Sequence, residues 1–183
     1  MFPHNISDVL TVQKFLDLHQ TLKNDWSCSN TSYSGGAQSW GKICRNDLIN
    51  FSVGSYIKLK LMKVLKKDLR LIKVQINGQT PFQESQFHID FSESKVWTFV
   101  LFTEPEWNVE WGGEFVVQDS AGKYHYTPYI PNTGVLIPSN WTHKGQSPNS
   151  QCPGMRTTVA FSYCASDIID IMCYNYSYIN KFL

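Results

Sequence analysis

"FHIDF", residues 87–91, sets a histidine and an aspartate two positions apart inside an otherwise apolar pentapeptide. It follows a loop of turn-forming and polar residues, "NGQTPFQESQ" (77–86). On a strand, residues i and i+2 project from the same face. The spacing predicts a strand that turns Phe87, Ile89 and Phe91 toward a core and presents His88 and Asp90 together to a cavity. An imidazole and a carboxylate on one face supply two ligands to a metal, and a third must come from elsewhere. Of the other histidines (His4, His19, His125 and His143), His143 is the candidate. It lies in "GVLIPSNWTHKGQSP" (134–148), where one strand ends at Pro138 and another begins around Trp141. In a jelly-roll such a strand can return beside the His88 strand. Two histidines and one carboxylate on one octahedral face leave three positions open, an arrangement suited to a non-haem Fe(II) centre that activates oxygen. In isolation the same pair would serve as well as a hydrogen-bonded couple, with His143 at the surface.

Around this stretch the pattern is one of short strands. "LRLIKVQI" (69–76) alternates, and "VWTFVLF" (96–102), "GEFVVQD" (113–119), "YHYTPYI" (124–130), "GVLIPS" (134–139) and "RTTVAFSYC" (156–164) follow. Asn-Gly, Gly-Gly, Ala-Gly and Asn-Thr-Gly mark the turns. With "FHIDF" and the Trp141 segment these make eight strands, the spacing of a double-sheet jelly-roll or barrel. Ahead of them, Val9, Leu10, Phe15, Leu16 and Leu22 form an amphipathic stripe that predicts a helix from about Asp8 to Lys23, capped by Ser7. A second helix is predicted over Arg45 to Lys67, broken near Gly54. "SCSNTSYSGGAQSW" (27–40) reads as a surface loop, and Ser166 is placed to cap a terminal helix within 165–183. The expected fold is mainly β with flanking helices. A jelly-roll core (69–164) is buttressed by the helices and loops of 1–68, all within one domain of 183 residues.

Composition narrows the function. A hydrophobic fraction of 42% with 14% aromatic residues belongs to an ordered globular chain. At this length folding buries roughly 70% of the extended chain's surface. A formal net charge of +1 gives no electrostatic footprint for nucleic acid. The densest basic run, Lys58 to Lys73, is interleaved with Leu59, Leu61, Met62, Val64 and Leu65 at helical spacing, the pattern of a solvated helix face. No apolar run reaches the length of a membrane span or signal peptide. The five cysteines (Cys28, Cys44, Cys152, Cys164 and Cys173) include no CxxC pair, so a reducing, cytoplasmic setting is expected.

The order of motifs is more specific than any one of them. "FHIDFSESKVWTFVLFTEPEWNVEWGGEF" (87–115), "PNTGVLIPSNWTHKGQSP" (131–148) and "GMRTTVAFSY" (154–163) together resemble the Fe(II)/2-oxoglutarate-dependent dioxygenases, in the branch around the prolyl hydroxylases. The resemblance covers about Leu71 to Tyr163. It implies a double-stranded β-helix, iron held by His88, Asp90 and His143, and 2-oxoglutarate and O2 as co-substrates. It also implies hydroxylation of a peptide, prolyl or amino-acid-like substrate, with succinate and CO2 formed. Arg156 would anchor the distal carboxylate of 2-oxoglutarate, since a guanidinium matches a carboxylate bidentately. Thr158 shares its strand face and can add a hydrogen bond. Arg156 stands thirteen residues after His143, further than the family places its basic residue. That implies a longer hairpin through "SPNSQCPG" (147–154) and leaves Lys144 as a rival anchor. Asn77, with Gln75 nearby, stands where many relatives carry a tyrosine; it could contact 2-oxoglutarate or simply form an Asn-Gly turn. Trp97 and Phe99 read as core, and His125 as an ordinary strand histidine. Trp107 and Trp111 in Thr103–Trp111, with Tyr33 and Trp40 in Ser27–Trp40, are candidates for lids at a substrate mouth, with packing beneath the loop the equal alternative for Trp107 and Trp111. The competing class is a non-enzymatic jelly-roll binding module with a degenerate metal site.

Overall fold

The computed structural model describes residues 2–31, 38–42, 48–83 and 85–168. The chain runs β1 (His4–Ile6), α1 (Val12–Leu22), β2 (Ser27–Thr31), β3 (Gln38–Lys42), a π-helical turn (Leu48–Val53) and α2 (Gly54–Leu65). Then come β4 (Leu69–Gln79), β5 (Val96–Phe102), a 3-10 turn (Val109–Trp111), β6 (Phe115–Gln118), β7 (Tyr124–Thr127), β8 (Gly134–Pro138), β9 (Thr142–Gly145) and β10 (Arg156–Ala165). A 3-10 turn at Ser166–Ile168 closes the described chain; the terminal helix expected over 165–183 otherwise lies outside the described residues. No helix of the described residues is long and apolar enough to cross a membrane.

The strands form two antiparallel sheets. The larger has the order β1-β8-β5-β10-β4-β3-β2 and the smaller β7-β6-β9. Alternation along β5 and β10 builds the two layers. Trp97, Phe99 and Leu101 of β5, with Val159, Phe161 and Tyr163 of β10, enter the buried cluster that also takes Phe15, Leu18 and Leu22 of α1 and Ile57 and Leu61 of α2. The intervening Val100 and Phe102 pack against Phe115, Val117 and Tyr129 on the side of the smaller sheet. Each fully buried side chain of this size contributes about 1.5–3 kcal/mol, so the central strands are fixed from both faces.

Several sequence expectations need correction. α1 is capped by Thr11, whose side chain accepts from Lys14 N, and not by Ser7. Asp8 has φ +48°, which interrupts a right-handed helix. Leu10 N and O both bond the Asn132 side chain, so Val9 and Leu10 are buried in a segment tied down ahead of the helix. The break expected near Gly54 is the change from π to α hydrogen bonding there. β4 continues through Asn77-Gly78, where a turn had been one option. At Gly78 a Cβ would lie 2.4 Å from Met155 Sδ, so this glycine serves close packing within a strand. Part of the expected loop 27–40 is strand, β2 and β3 pairing with each other and β3 with β4.

Candidate active site

A cavity of about 250 Å³ opens between the sheets, walled by Lys73, Gln75, Asn77 and Gln79 of β4 and by Arg156, Thr158 and Ala160 of β10. The two files face each other in register, Arg156 with Gln79, Thr158 with Asn77 and Ala160 with Gln75. His88, Asp90 and His143 complete the wall.

"FHIDF" is not a regular strand. It makes one two-way backbone pairing, His88 N to His143 O (3.0 Å) and His143 N to His88 O (2.9 Å), and then passes Asp90 N and Phe91 N to Ser139 O. Only Phe91 of the apolar trio is buried; Phe87 is 39% and Ile89 47% exposed. An irregular crossing over the turn between β8 and β9 has no core for Phe87 and Ile89. The crossing still brings His88 and Asp90 beside His143 on β9. One ligand atom from each of the three lies within 4.8 Å of the others, with His143 Nε2 3.6 Å and His88 Nε2 3.9 Å from the Asp90 carboxylate.

The surrounding hydrogen bonds prepare these groups. His88 Nδ1 bonds Gln86 O (3.0 Å) and His143 Nδ1 bonds Trp141 O (2.9 Å). A carbonyl only accepts, so each Nδ1 carries the proton and each Nε2 offers its lone pair to the site. Burial holds the His143 imidazole below its ordinary pKa against the opposing pull of Asp90, which favours the neutral ring a metal needs. Thr98 Oγ1 donates to Asp90 Oδ2 at 2.6 Å. Having spent its proton there, it accepts from Ser139 Oγ at 2.8 Å. Metal-binding carboxylates are oriented by such partners. The single polar residue inside "VWTFVLF" was the sequence signal for Thr98.

Arg156 is buried at the other end. Nε donates to Gly113 O (2.7 Å) and Nη1 to Gln79 Oε1 (3.1 Å), while Nη2 is buried with no partner among the described residues. The guanidinium lies 5.3 Å from the Tyr129 ring and 5.8 Å from Phe102. Desolvation lowers its pKa to about 10, opposed by Tyr129 and Glu114, so it remains charged at neutral pH. No carboxylate among the described residues closes a salt bridge with it. A buried, charged, half-satisfied fork of this kind costs several kcal/mol until an anion completes it. Gly145 leaves the space, since a Cβ there would meet Arg156 Nη1 at 2.8 Å.

The remaining candidates sort clearly. Thr158 and Asn77 line the cavity, as do Gln75 and Gln79; Gln79 becomes visible only once β4 is extended past Asn77. Lys144 does not line it and sits 5.0 Å above the Phe87 ring in the outer groove. Trp107 is turned inward, its ring 4.3 Å from Tyr129 and its Nε1 donating to Gly112 O at 3.1 Å. Gly112 (φ +69°) and Gly113 (φ +84°) make the irregular turn there, where a Cβ on Gly113 would fall 3.0 Å from Trp107. Trp111 borders the outer groove. The long connection from β9 to β10 is pinned to this segment by Gln146 N to Glu114 O and Asn149 N to Trp111 O. His125 pairs with Asp119 at 2.7 Å, away from the cavity. Tyr33 lies outside the described residues, and of Trp40 only its place on β3 is described.

No protein-family model and no curated protein matches the sequence. Solved structures do match in fold, and many of them are Fe(II)/2-oxoglutarate oxygenases. A prolyl-4-hydroxylase from Pseudomonas putida is 12% identical, with a TM-score of 0.66 over 89% of this chain and 92% of that one. The viral collagen prolyl hydroxylase of Paramecium Bursaria Chlorella virus-1, solved with 2-oxoglutarate, is 13% identical, with a TM-score of 0.63 over 90% and 97%. The non-haem α-ketoglutarate-dependent epimerase of nogalamycin biosynthesis is 12% identical, with a TM-score of 0.68 over 90% and 78%. This shared fold hosts more than one reaction, so the chemistry has to be argued from the site.

Proposed function

We propose that the protein is an Fe(II)- and 2-oxoglutarate-dependent oxygenase that hydroxylates a C–H bond of a peptide, prolyl or amino-acid-like substrate. The reading treats residues 1–183 as a single oxygenase domain with a double-stranded β-helix core, buttressed by α1 and α2. Cys28 and Cys152, in no disulfide among the described residues, support a reducing, cytoplasmic setting. The observation that carries the function is one cavity holding both a His-Asp-His cluster and the buried, unpartnered Nη2 of Arg156.

The donor set fits the metal: two neutral imidazoles and a carboxylate bind Fe(II) and leave coordination positions for small oxygen ligands. Bound iron supplies the redox chemistry, in which O2 is split between 2-oxoglutarate, which becomes succinate and CO2, and the substrate C–H, which becomes C–OH. The chain's own residues do the positioning. Gln86 O and Trp141 O fix the histidine tautomers, and Thr98 holds the carboxylate oxygen in place. Arg156 binds the distal carboxylate of 2-oxoglutarate through its free Nη2, with Thr158 and Asn77 beside it on the wall. Tyr129, Phe102 and Phe115 keep that end apolar and dry, which strengthens the ion pair.

The test is a visible absorption titration without oxygen. Fe(II) and 2-oxoglutarate added together should give a broad band that neither gives alone, with one equivalent of each bound. A flat spectrum would leave the molecule as a binding module and end the oxygenase reading.

A further inference from the structure

Lys73 occupies the end of the cavity opposite Arg156. It stands six residues before Gln79, the register partner of Arg156, which at about 3.3 Å per residue sets the backbones of Lys73 and Arg156 about 20 Å apart along the strand. Its register partner is Ser162 of β10, which pairs in turn with Thr98 of β5. Directly paired residues project to the same face, so Lys73, Ser162 and Thr98 make a row across the sheet. The Thr98 hydroxyl at the end of that row holds Asp90. Two strand spacings, about 10 Å, separate the Lys73 and Thr98 backbones. Lys73 is half-buried, lines the cavity, and forms no salt bridge among the described residues.

Charge decides what this end accepts. Among the described residues Asp90 is the only acidic one on the cavity wall, against Arg156 and Lys73. With co-substrate in place, Asp90 and one carboxylate of 2-oxoglutarate would balance a divalent metal, and the distal carboxylate would balance Arg156. One positive charge is left, at Lys73, on the Asp90 side of the site and not on the Arg156 side. Between the cations the β4 wall is a file of amides, Gln75, Asn77 and Gln79, which suits a small polar ligand better than an apolar one.

We infer that the substrate is a small free acid whose carboxylate is bound by Lys73 while its reacting C–H lies toward the metal ligands. This rests on the oxygenase reading and narrows it: an internal residue of a peptide, lacking a carboxylate of its own, is excluded. Lys73 is then the specificity-determining residue.

The experiment is calorimetry without oxygen on protein loaded with Fe(II) and 2-oxoglutarate. Proteinogenic L-amino acids and short monocarboxylic acids are each titrated beside the corresponding primary amide. A charge-assisted hydrogen bond made by the acid and not by the amide should favour the acid by roughly tenfold to a hundredfold for at least one pair. Lys73→Met should bring that ratio close to one, and Lys73→Arg should restore most of it. Lys73→Gln serves the same purpose if the methionine variant does not fold. Acid and amide binding alike to the unaltered protein, no acid binding, or full discrimination surviving in Lys73→Met would each overturn the inference. The visible band of the same sample separates the two levels of argument. With the band present, only the role of Lys73 falls; with it absent, the oxygenase reading falls and takes this inference with it.

Discussion

His143 and Arg156, on regular strands, are held differently from the 85–91 crossing that carries His88 and Asp90. His143 pairs through β9 with Val117 of β6 and is 4% exposed. Arg156 is locked by two hydrogen bonds and flanked by two aromatic rings. The crossing has one bridge to β9 and a few bonds to carbonyls and Thr98, and it leaves Ile89 nearly half exposed. Half of the site is therefore set by sheet register, and half by local hydrogen bonds that the sheet does not impose. That suits the proposed function, in which one end of the cavity holds a co-substrate rigidly and the other admits a substrate.

The sharpest way to break this contrast is at His143. Removing one of three ligands should reduce Fe(II) affinity by more than a hundredfold, beyond the tenfold to hundredfold typical of losing an outer partner. His143→Ala should lose all 2-oxoglutarate turnover while keeping its far-ultraviolet circular dichroism. Turnover at the unaltered level would remove His143 from the site. Arg156 comes next. Deleting one side of a buried charged pair costs about 2–5 kcal/mol, or roughly thirtyfold upward in affinity. Arg156→Ala should raise the 2-oxoglutarate requirement by that factor with Fe(II) affinity little changed. Lys144→Ala, altering only the outer groove, should change it less than twofold, and the reverse ranking would make Lys144 the anchor.

Thr98 tests the crossing. Thr98→Val keeps the shape and deletes the hydroxyl that holds Asp90 Oδ2. As the loss of an outer partner it should weaken Fe(II) by about tenfold and leave 2-oxoglutarate affinity of the metal-saturated protein nearly unchanged. Unaltered Fe(II) affinity in this variant would mean that the metal positions Asp90 unaided.

The same contrast explains what the sequence made legible. His88, Asp90, His143, Arg156, Thr158 and Asn77 could be singled out as candidates because ligand chemistry restricts the residue types and the motif order restricts their places, and all six line one cavity. The strand assigned to "FHIDF" was wrong because alternation reports only that side chains differ in polarity. It cannot say whether Phe87 and Ile89 have a core to enter, and they have none. β2 and β3, "SCSNT" and "QSWGK", carry no apolar alternation, because their place is decided by pairing beside β4. Ser7 does not cap α1 and Thr11 does, because Asn132, far along the chain, ties both backbone groups of Leu10 outside the helix. Gln79 and Lys73 emerged only with the true length and register of β4.

Trp107 gives the smallest expected effect. An aromatic residue in a polar loop reads as a lid, yet this ring lies against Tyr129 and its Nε1 holds Gly112 O, next to the Gly113 carbonyl that receives Arg156 Nε. Trp107 is thus a positioning residue for Arg156. Trp107→Phe keeps an aromatic ring and loses one neutral hydrogen bond, worth about 1 kcal/mol, or roughly fivefold in affinity. The 2-oxoglutarate requirement should rise by about that factor, and substrate-free conversion to succinate at limiting 2-oxoglutarate should slow together with coupled turnover. A lid residue would behave otherwise, slowing only the substrate-coupled reaction. That second pattern is expected of Phe87, exposed beside Tyr124 and Lys144, where Phe87→Ala should lower coupled turnover alone. If Trp107→Phe showed the selective loss and Phe87→Ala the uniform one, the tight and loose ends of the cavity would have to exchange places.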